Sequence, residues 1–253
     1  MKKLISLLLV CVLGLSTFAI LVNAEDVESE TPSAAEYTTA SQTVGFVIAD
    51  QHWSVPVRIA PAVLHADGQD RDVYLIGLMG VKSNKNQVNN SKNLFPVAYN
   101  KENTYEPYVV SLIFDLIPEG SALVFVGHSL GGMVAQQLRT DEKLTGAYDV
   151  VAVLTAGSPL ILVDEEKTEG GLERLVDKWD VITYLSPATY KCLKKQLGTA
   201  HRENGGYFFN PDGAHNKSYL RDEIWGKYDA LGVEGGSATI SVDLAKQATY
   251  GAA

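Results

Sequence analysis

Three apolar runs, each closed by a glycine, set the tightest limit on how this chain can fold. Val73-Tyr74-Leu75-Ile76 ends at Gly77, Leu123-Val124-Phe125-Val126 ends at Gly127, and residues 150–154 lead to Gly157. Unbroken apolar runs of this length are the pattern of strands buried on both faces, as in parallel sheets. Helical spacing separates them. Tyr105, Tyr108, Val109, Leu112, Ile113, Leu116 and Ile117 recur at i, i+3, i+4 and i+7, and Leu130, Met133, Val134 and Leu138 imply a second helix. Thr104 is the expected cap of the first, and Pro107 falls in its first turn, where a missing N–H costs nothing. Residues 43–49 and 55–63 read as two further strands, paired as a hairpin across Asp50-Gln51-His52. The fold class expected is α/β, a mostly parallel sheet with helices on both faces. Ligands of such sheets sit beyond the carboxyl ends of the strands.

The amino end reads as something other than fold. Lys2 and Lys3 precede an apolar stretch over residues 4–22, and Val22-Asn23-Ala24 offers the small residues of a cleavage site. Residues 1–24 are therefore expected to be a secretory signal peptide. The same stretch is long enough to span a bilayer, but the polar, acidic sequence directly after it favours cleavage. Residues 25–42 read as a flexible acidic leader and residues 43–253 as one catalytic domain, a length that suits a single α/β unit. The chain carries 21 basic and 30 acidic residues, a net charge of −9, which argues against nucleic acid as a partner. Without residues 1–24 only Cys192 remains of two cysteines. The expectation is thus a secreted protein held by its core rather than by disulfides.

Gly127-His128-Ser129-Leu130-Gly131 fits G-x-S-x-G and lies between a strand pattern and a helix pattern. A serine at such a turn is held in a strained backbone conformation with its hydroxyl exposed, and flanking side chains would collide there. Ser129 is the expected nucleophile. The N–H of Leu130, at the start of the helix, is one expected oxyanion donor, and the loop after residues 73–76 should supply the other, from Leu78 or Met79. A serine needs a base, and the base an orienting acid, following in the order Ser, Asp or Glu, His. His52 and His65 lie upstream and His128 is within the turn, which leaves His215, in a loop leading into a helix, and His201 as the less favoured alternative. Spacing alone does not separate Asp180 from Asp177 or Asp164.

Gly127-His128-Ser129-Leu130-Gly131-Gly132 resembles the nucleophile segment of the α/β-hydrolase superfamily, in particular that of class 3 (fungal-type) lipases. Thr155-Ala156-Gly157-Ser158-Pro159, residues 180–187 and Ala214-His215-Asn216-Lys217-Ser218-Tyr219 are similar to that family's later segments, in the same order. The resemblance implies Asp180 as the acid and His215 as the base. It also implies a Ser129-His215-Asp180 hydrolase acting on acyl esters or lipids, with transient contact with a lipid interface and no cofactor or metal. The chain departs from the family at Gly77-Leu78-Met79-Gly80-Val81, where an Arg-Gly-Thr triplet is usual. An acyltransferase or thioesterase would use the same residues, and an inactive binding protein could retain the fold. Residues 82–104, rich in asparagine with one apolar cluster at Leu94-Phe95-Pro96-Val97, read as a mobile cover, and Trp179, Tyr207, Phe208, Phe209 and Trp225 as candidates to line an acyl pocket.

Overall fold

The computed structural model describes residues 33–49, 55–82, 87–162, 171–192 and 200–251. The elements along the chain are β1 (Ala34–Tyr37), α1 (Ala40–Ile48), β2 (Val57–Ala66), β3 (Gln69–Leu78), α2 (Leu94–Ala98), α3 (Tyr105–Leu116), β4 (Ala122–His128), α4 (Leu130–Thr140) and α5 (Glu142–Ala147). They continue with β5 (Asp149–Ala156), β6 (Leu172–Asp177), α6 (Pro187–Cys192), β7 (Ala200–Glu203), α7 (Pro211–Asn216), α8 (Asp222–Trp225), β8 (Thr239–Asp243) and β9 (Ala248–Tyr250).

One mixed sheet carries them all, in the order β1-β8-β2-β3-β4-β5-β6-β7, with β9 also on β2. Strands β3 to β7 are parallel, and β1, β2, β8 and β9 pair antiparallel. Every residue of β4 is buried, as its unbroken apolar run requires. The crossovers from β3 to β4 and from β4 to β5 step the same way along the sheet, so right-handed connections place both on one face. There Ile76, Leu78, Leu123, Phe125 and Val153 pack against Val109 and Ile113 of α3 and Met133, Val134 and Leu138 of α4. The alternate strand residues Leu75, Val124, Val126 and Leu154 face the other way, onto Val44 and Val47 of α1 and onto Tyr219, Trp225 and Tyr228. Helices thus cover both faces of the parallel half.

Several local expectations are corrected. Residues 43–49, read as a strand, instead form most of helix α1, which ends at Ile48 with Ala49 as its cap. Their β-branched content suggests a strand, but Ala40, Val44 and Val47 fall on one helical face against the sheet, and burial overrides propensity. The Gln42 carboxamide accepts from the N–H groups of Thr38 and Thr39 (2.7 and 3.3 Å) and starts the helix. The leader reading also fails beyond residue 33, since β1 pairs with β8 and α1 packs in the core. The hairpin partner of β2 is β3, across Asp67-Gly68, both in the left-handed region (φ 52° and 72°) as a two-residue hairpin turn needs. Residues 50–52, the expected turn, lie outside the described residues, as do the proposed signal segment and Asp164. Helix α3 is capped by Asn103, whose Oδ1 accepts from Tyr105 and Glu106 N–H (2.9 Å each), while Thr104 Oγ1 accepts from Asn93 instead. Within the segment expected to be a cover, Leu94 and Val97 are core residues and Asn89 is fully buried, so residues 87–104 form a packed insertion.

Candidate active site

The carboxyl ends of β3, β4, β5 and β6 meet at one place. Ser129 occupies the turn between β4 and α4 at φ 55°, ψ −122°, a region that non-glycine residues rarely enter. Its N–H donates to the Ala156 carbonyl at 3.0 Å, tying the turn to the end of β5. The glycines around it are required by contact. A Cβ on Gly131 would lie 2.1 Å from the Leu78 carbonyl oxygen, and one on Gly127 2.6 Å from backbone atoms of Gly131 and Gly132.

Asp180 follows β6 and is completely buried. Its Oδ1 accepts from the Ile182 N–H (3.0 Å), and its Oδ2 accepts both from His215 Nδ1–H (2.9 Å) and from the Tyr219 hydroxyl (2.8 Å). Because the carboxylate only accepts, His215 carries its proton on Nδ1 and leaves Nε2 as an acceptor. Helix α7 delivers His215, and the Asn210 side chain starts that helix by accepting from Gly213 N–H (2.9 Å). Gly157, at φ 61°, floors the pair, since a Cβ there would sit 2.8 Å from Asp180 Oδ2 and 3.1 Å from His215 Nδ1.

The structure separates the alternatives that spacing left open. Asp177 is buried too, but its oxygens accept from Trp179 N–H (2.7 Å), Gly205 N–H (2.9 Å) and the Ser218 hydroxyl, which commits it to holding loops. His201 pairs with Glu173 (2.6 Å) and packs on Tyr228.

His128, inside the turn, links Ser129 to His215. Its Nε2–H donates to the His215 backbone carbonyl (2.8 Å), and the two rings lie 4.6 Å apart. Burial, reinforced by the charge of His215, pushes its pKa down to about 3, so the ring is neutral at ordinary pH. Asp180 and His215 are therefore directly bonded, and Ser129 reaches them through its neighbour. Among the described residues no hydrogen bond joins the Ser129 hydroxyl to His215, a link that often tightens only when substrate is bound.

Leu130, the first residue of α4, has an N–H with no acceptor within the helix, as expected of an oxyanion donor. The second donor is corrected. Met79 N–H is already given to the Pro56 carbonyl (2.9 Å), and Leu78 lies within the sheet between Val57 and Gly127. The residue against Ser129 is Gly80, where a Cβ would come 2.8 Å from Ser129 Cβ. Asn89 fixes this loop, its Nδ2 donating to the Gly80 carbonyl and its backbone carbonyl accepting from Lys82 N–H (3.0 Å each). No signal in the sequence set Asn89 apart from its neighbouring asparagines.

Of the aromatic candidates, Trp225 is core, stacked on Tyr219. Trp179, Phe208 and Phe209 instead form an exposed pile, with successive ring centroids 4.4 and 3.9 Å apart, beside the loops that carry Asp180 and His215. Among the described residues no group of three or more His, Cys, Asp or Glu side chains is arranged to hold a metal ion. A cavity of about 560 Å³ lies away from this site, at the amino ends of β3 and β4, lined by Pro61, Val63, Asp72, Tyr74, Ser121 and Ser241. Comparison with family models, with curated proteins and with solved structures gave no match to this chain.

Proposed function

We propose that this chain is a secreted serine hydrolase of the α/β-hydrolase type that cleaves carboxylic esters of acyl lipids or short-chain acids. One observation carries the reading. A serine in a strained strand-to-helix turn stands near a hydrogen-bonded Asp180–His215 pair whose carboxylate is fully buried, at the carboxyl edge of a parallel sheet. In the reaction Ser129 Oγ attacks the ester carbonyl while its proton passes to His215 Nε2. The tetrahedral oxyanion is held by Leu130 N–H and by the Gly80–Val81 loop, each donor contributing about 3 kcal/mol. The imidazolium, steadied by Asp180, then protonates the departing alcohol and leaves an acyl-serine. Water attacks that ester with His215 as base, releasing the acid and restoring the serine. The chemistry needs no cofactor. The exposed Trp179-Phe208-Phe209 pile offers an apolar surface for an acyl chain or a transient lipid contact.

Hydrolysis of p-nitrophenyl butyrate and palmitate by residues 25–253, with Ser129→Ala alongside, tests the reading. Turnover that disappears in the variant supports it, and the chain-length ratio places the enzyme between esterase and lipase. Absence of serine-dependent turnover on both esters overturns ester hydrolysis and leaves an acyltransferase or an inactive protein on the same fold.

A further inference from the structure

The buried hydroxyl of Tyr219 has no place in the reaction just described, yet it ends on the acid that the reaction uses. It donates to Asp180 Oδ2 at 2.8 Å, the same oxygen that accepts the His215 Nδ1–H at 2.9 Å. It also accepts the Asp177 N–H at 3.0 Å, so its single proton has only one direction to point. The ring is fully buried, stacked on Trp225 with centroids 5.5 Å apart, which fixes where the hydroxyl lies.

We infer that Tyr219 is a positioning residue that draws charge away from Asp180 Oδ2 and so sets the pH at which His215 takes up a proton. The argument rests on two donors sharing one carboxylate oxygen. The negative charge on Oδ2 stabilises a protonated His215, and a second hydrogen bond to that oxygen weakens the stabilisation. His215 then stays an unprotonated base to lower pH than an unshared carboxylate would allow. Burial and the neighbouring Asp180 charge both raise the Tyr219 hydroxyl well above its ordinary pKa, so it keeps the proton it donates. The other groups around the His215 ring are neutral His128, with Lys82 acting on it, and Asp177 behind Tyr219. Asp212 on α7 and Lys217 just after it are exposed, and Tyr184, on the turn packed against α7, bonds to Arg202.

The inference rests on the proposed hydrolase for its kinetic meaning, whereas the titration of His215 can be followed in a protein that hydrolyses nothing. Two substitutions act in opposite directions. Tyr219→Phe removes the donor and keeps the ring, and 2,3-difluorotyrosine at position 219 keeps a stronger donor in the same place. The acid limb of kcat/KM and the NMR titration of the His215 ring protons, assigned with His215→Gln, are both recorded. The expected result is a rise of about 0.5–1 pH unit for the phenylalanine variant and a fall for the fluorinated protein. A wild-type protein without esterase activity would remove the proposed function but leave the NMR titration as the test. Unchanged His215 titration in the fluorinated protein, which should fold even if the phenylalanine variant does not, overturns the inference.

Discussion

Two Ser-His-Asp clusters occupy this sheet, one at each end, and the contrast between them shows what a hydrogen-bonded trio lacks. At the amino end of β3, His65 Nδ1 bonds Asp70 (2.7 Å) and His65 Nε2 bonds the Ser241 hydroxyl (3.0 Å), beside the 560 Å³ cavity. Its connectivity is more complete than that at Ser129. The register explains it simply, because His65 faces Asp70 across β2 and β3, and Ser241 faces Val63 across β8 and β2. What differs is the surroundings. The Asp70 side chain is 76% exposed and that of Asp180 is 0% exposed, so water screens the first carboxylate and not the second. Ser241 lies within a strand, whereas Ser129 heads a helix whose first N–H groups have no acceptor within the helix. Distance alone would choose Ser241. Burial, backbone strain and a helix terminus choose Ser129.

The largest effect that can break this comparison comes from the two serines. Ser129→Ala should lower kcat on p-nitrophenyl butyrate by on the order of 10⁶-fold, and Ser241→Ala should leave it within about twofold, as expected for a side chain outside the reaction. A loss on removing Ser241 would reverse the assignment. The acids come next. Asp180→Asn keeps the shape but offers the imidazole a donor, and should cost about 10⁴-fold in kcat. Asp70→Asn should cost nothing measurable. Equal losses in the two would mean that neither carboxylate is distinguished by its burial.

How much of this could be read from the chain follows the range of the forces involved. The strands β3, β4 and β5, helices α3 and α4 and the Ser129 turn are written in local pattern, because burial on two faces and helical periodicity leave their mark within a dozen residues. Helix α1 is not, because its β-branched residues are helical only through packing against β4 and β5. The Asp67-Gly68 turn is legible by its chemistry, though Asp50-Gln51-His52 offers a competing turn between apolar runs. At the site, Asp177 and Asp180 look alike in sequence and differ only in which distant groups reach them, Gly205 and Ser218 for one, His215 and Tyr219 for the other. Met79 failed as a donor for the same reason. Its N–H is taken by Pro56, far back in the chain, which no pattern around residue 79 reveals.

A smaller effect separates the ends through stability rather than rate. His128 has a folded pKa of about 3 against an ordinary 6.5, so between those values the unfolded chain binds the extra proton. Its contribution is complete above pH 6.5 and is lost as the pH falls toward 3. At about 1.4 kcal/mol per pH unit, the loss between pH 6.5 and 4.5 is on the order of 2–3 kcal/mol. His128→Gln, which can still donate to the His215 carbonyl, should flatten that part of the curve. Urea unfolding of both proteins at pH 7.0, 5.5 and 4.5 measures it, and parallel curves would show that His128 is protonated in the folded state.

The smallest effect concerns Asn89, which touches neither the nucleophile nor the base. Its Nδ2 supports the Gly80 carbonyl, while its own buried Oδ1 has no hydrogen-bond partner among the described residues. An orphaned buried acceptor costs about 1–3 kcal/mol, so Asn89→Ala relieves one unpaired atom and creates another at Gly80. The net change in stability should be within about 1 kcal/mol, as these two costs largely cancel. Activity should respond more. Gly80 packs against Ser129, and an unanchored Gly80–Val81 peptide would meet the oxyanion less well. A fall of roughly tenfold in kcat, with KM little changed, is the signature of an interaction made mainly in the transition state. An unchanged kcat would move the second oxyanion donor off this loop and leave Leu130 as the only donor that the geometry supports.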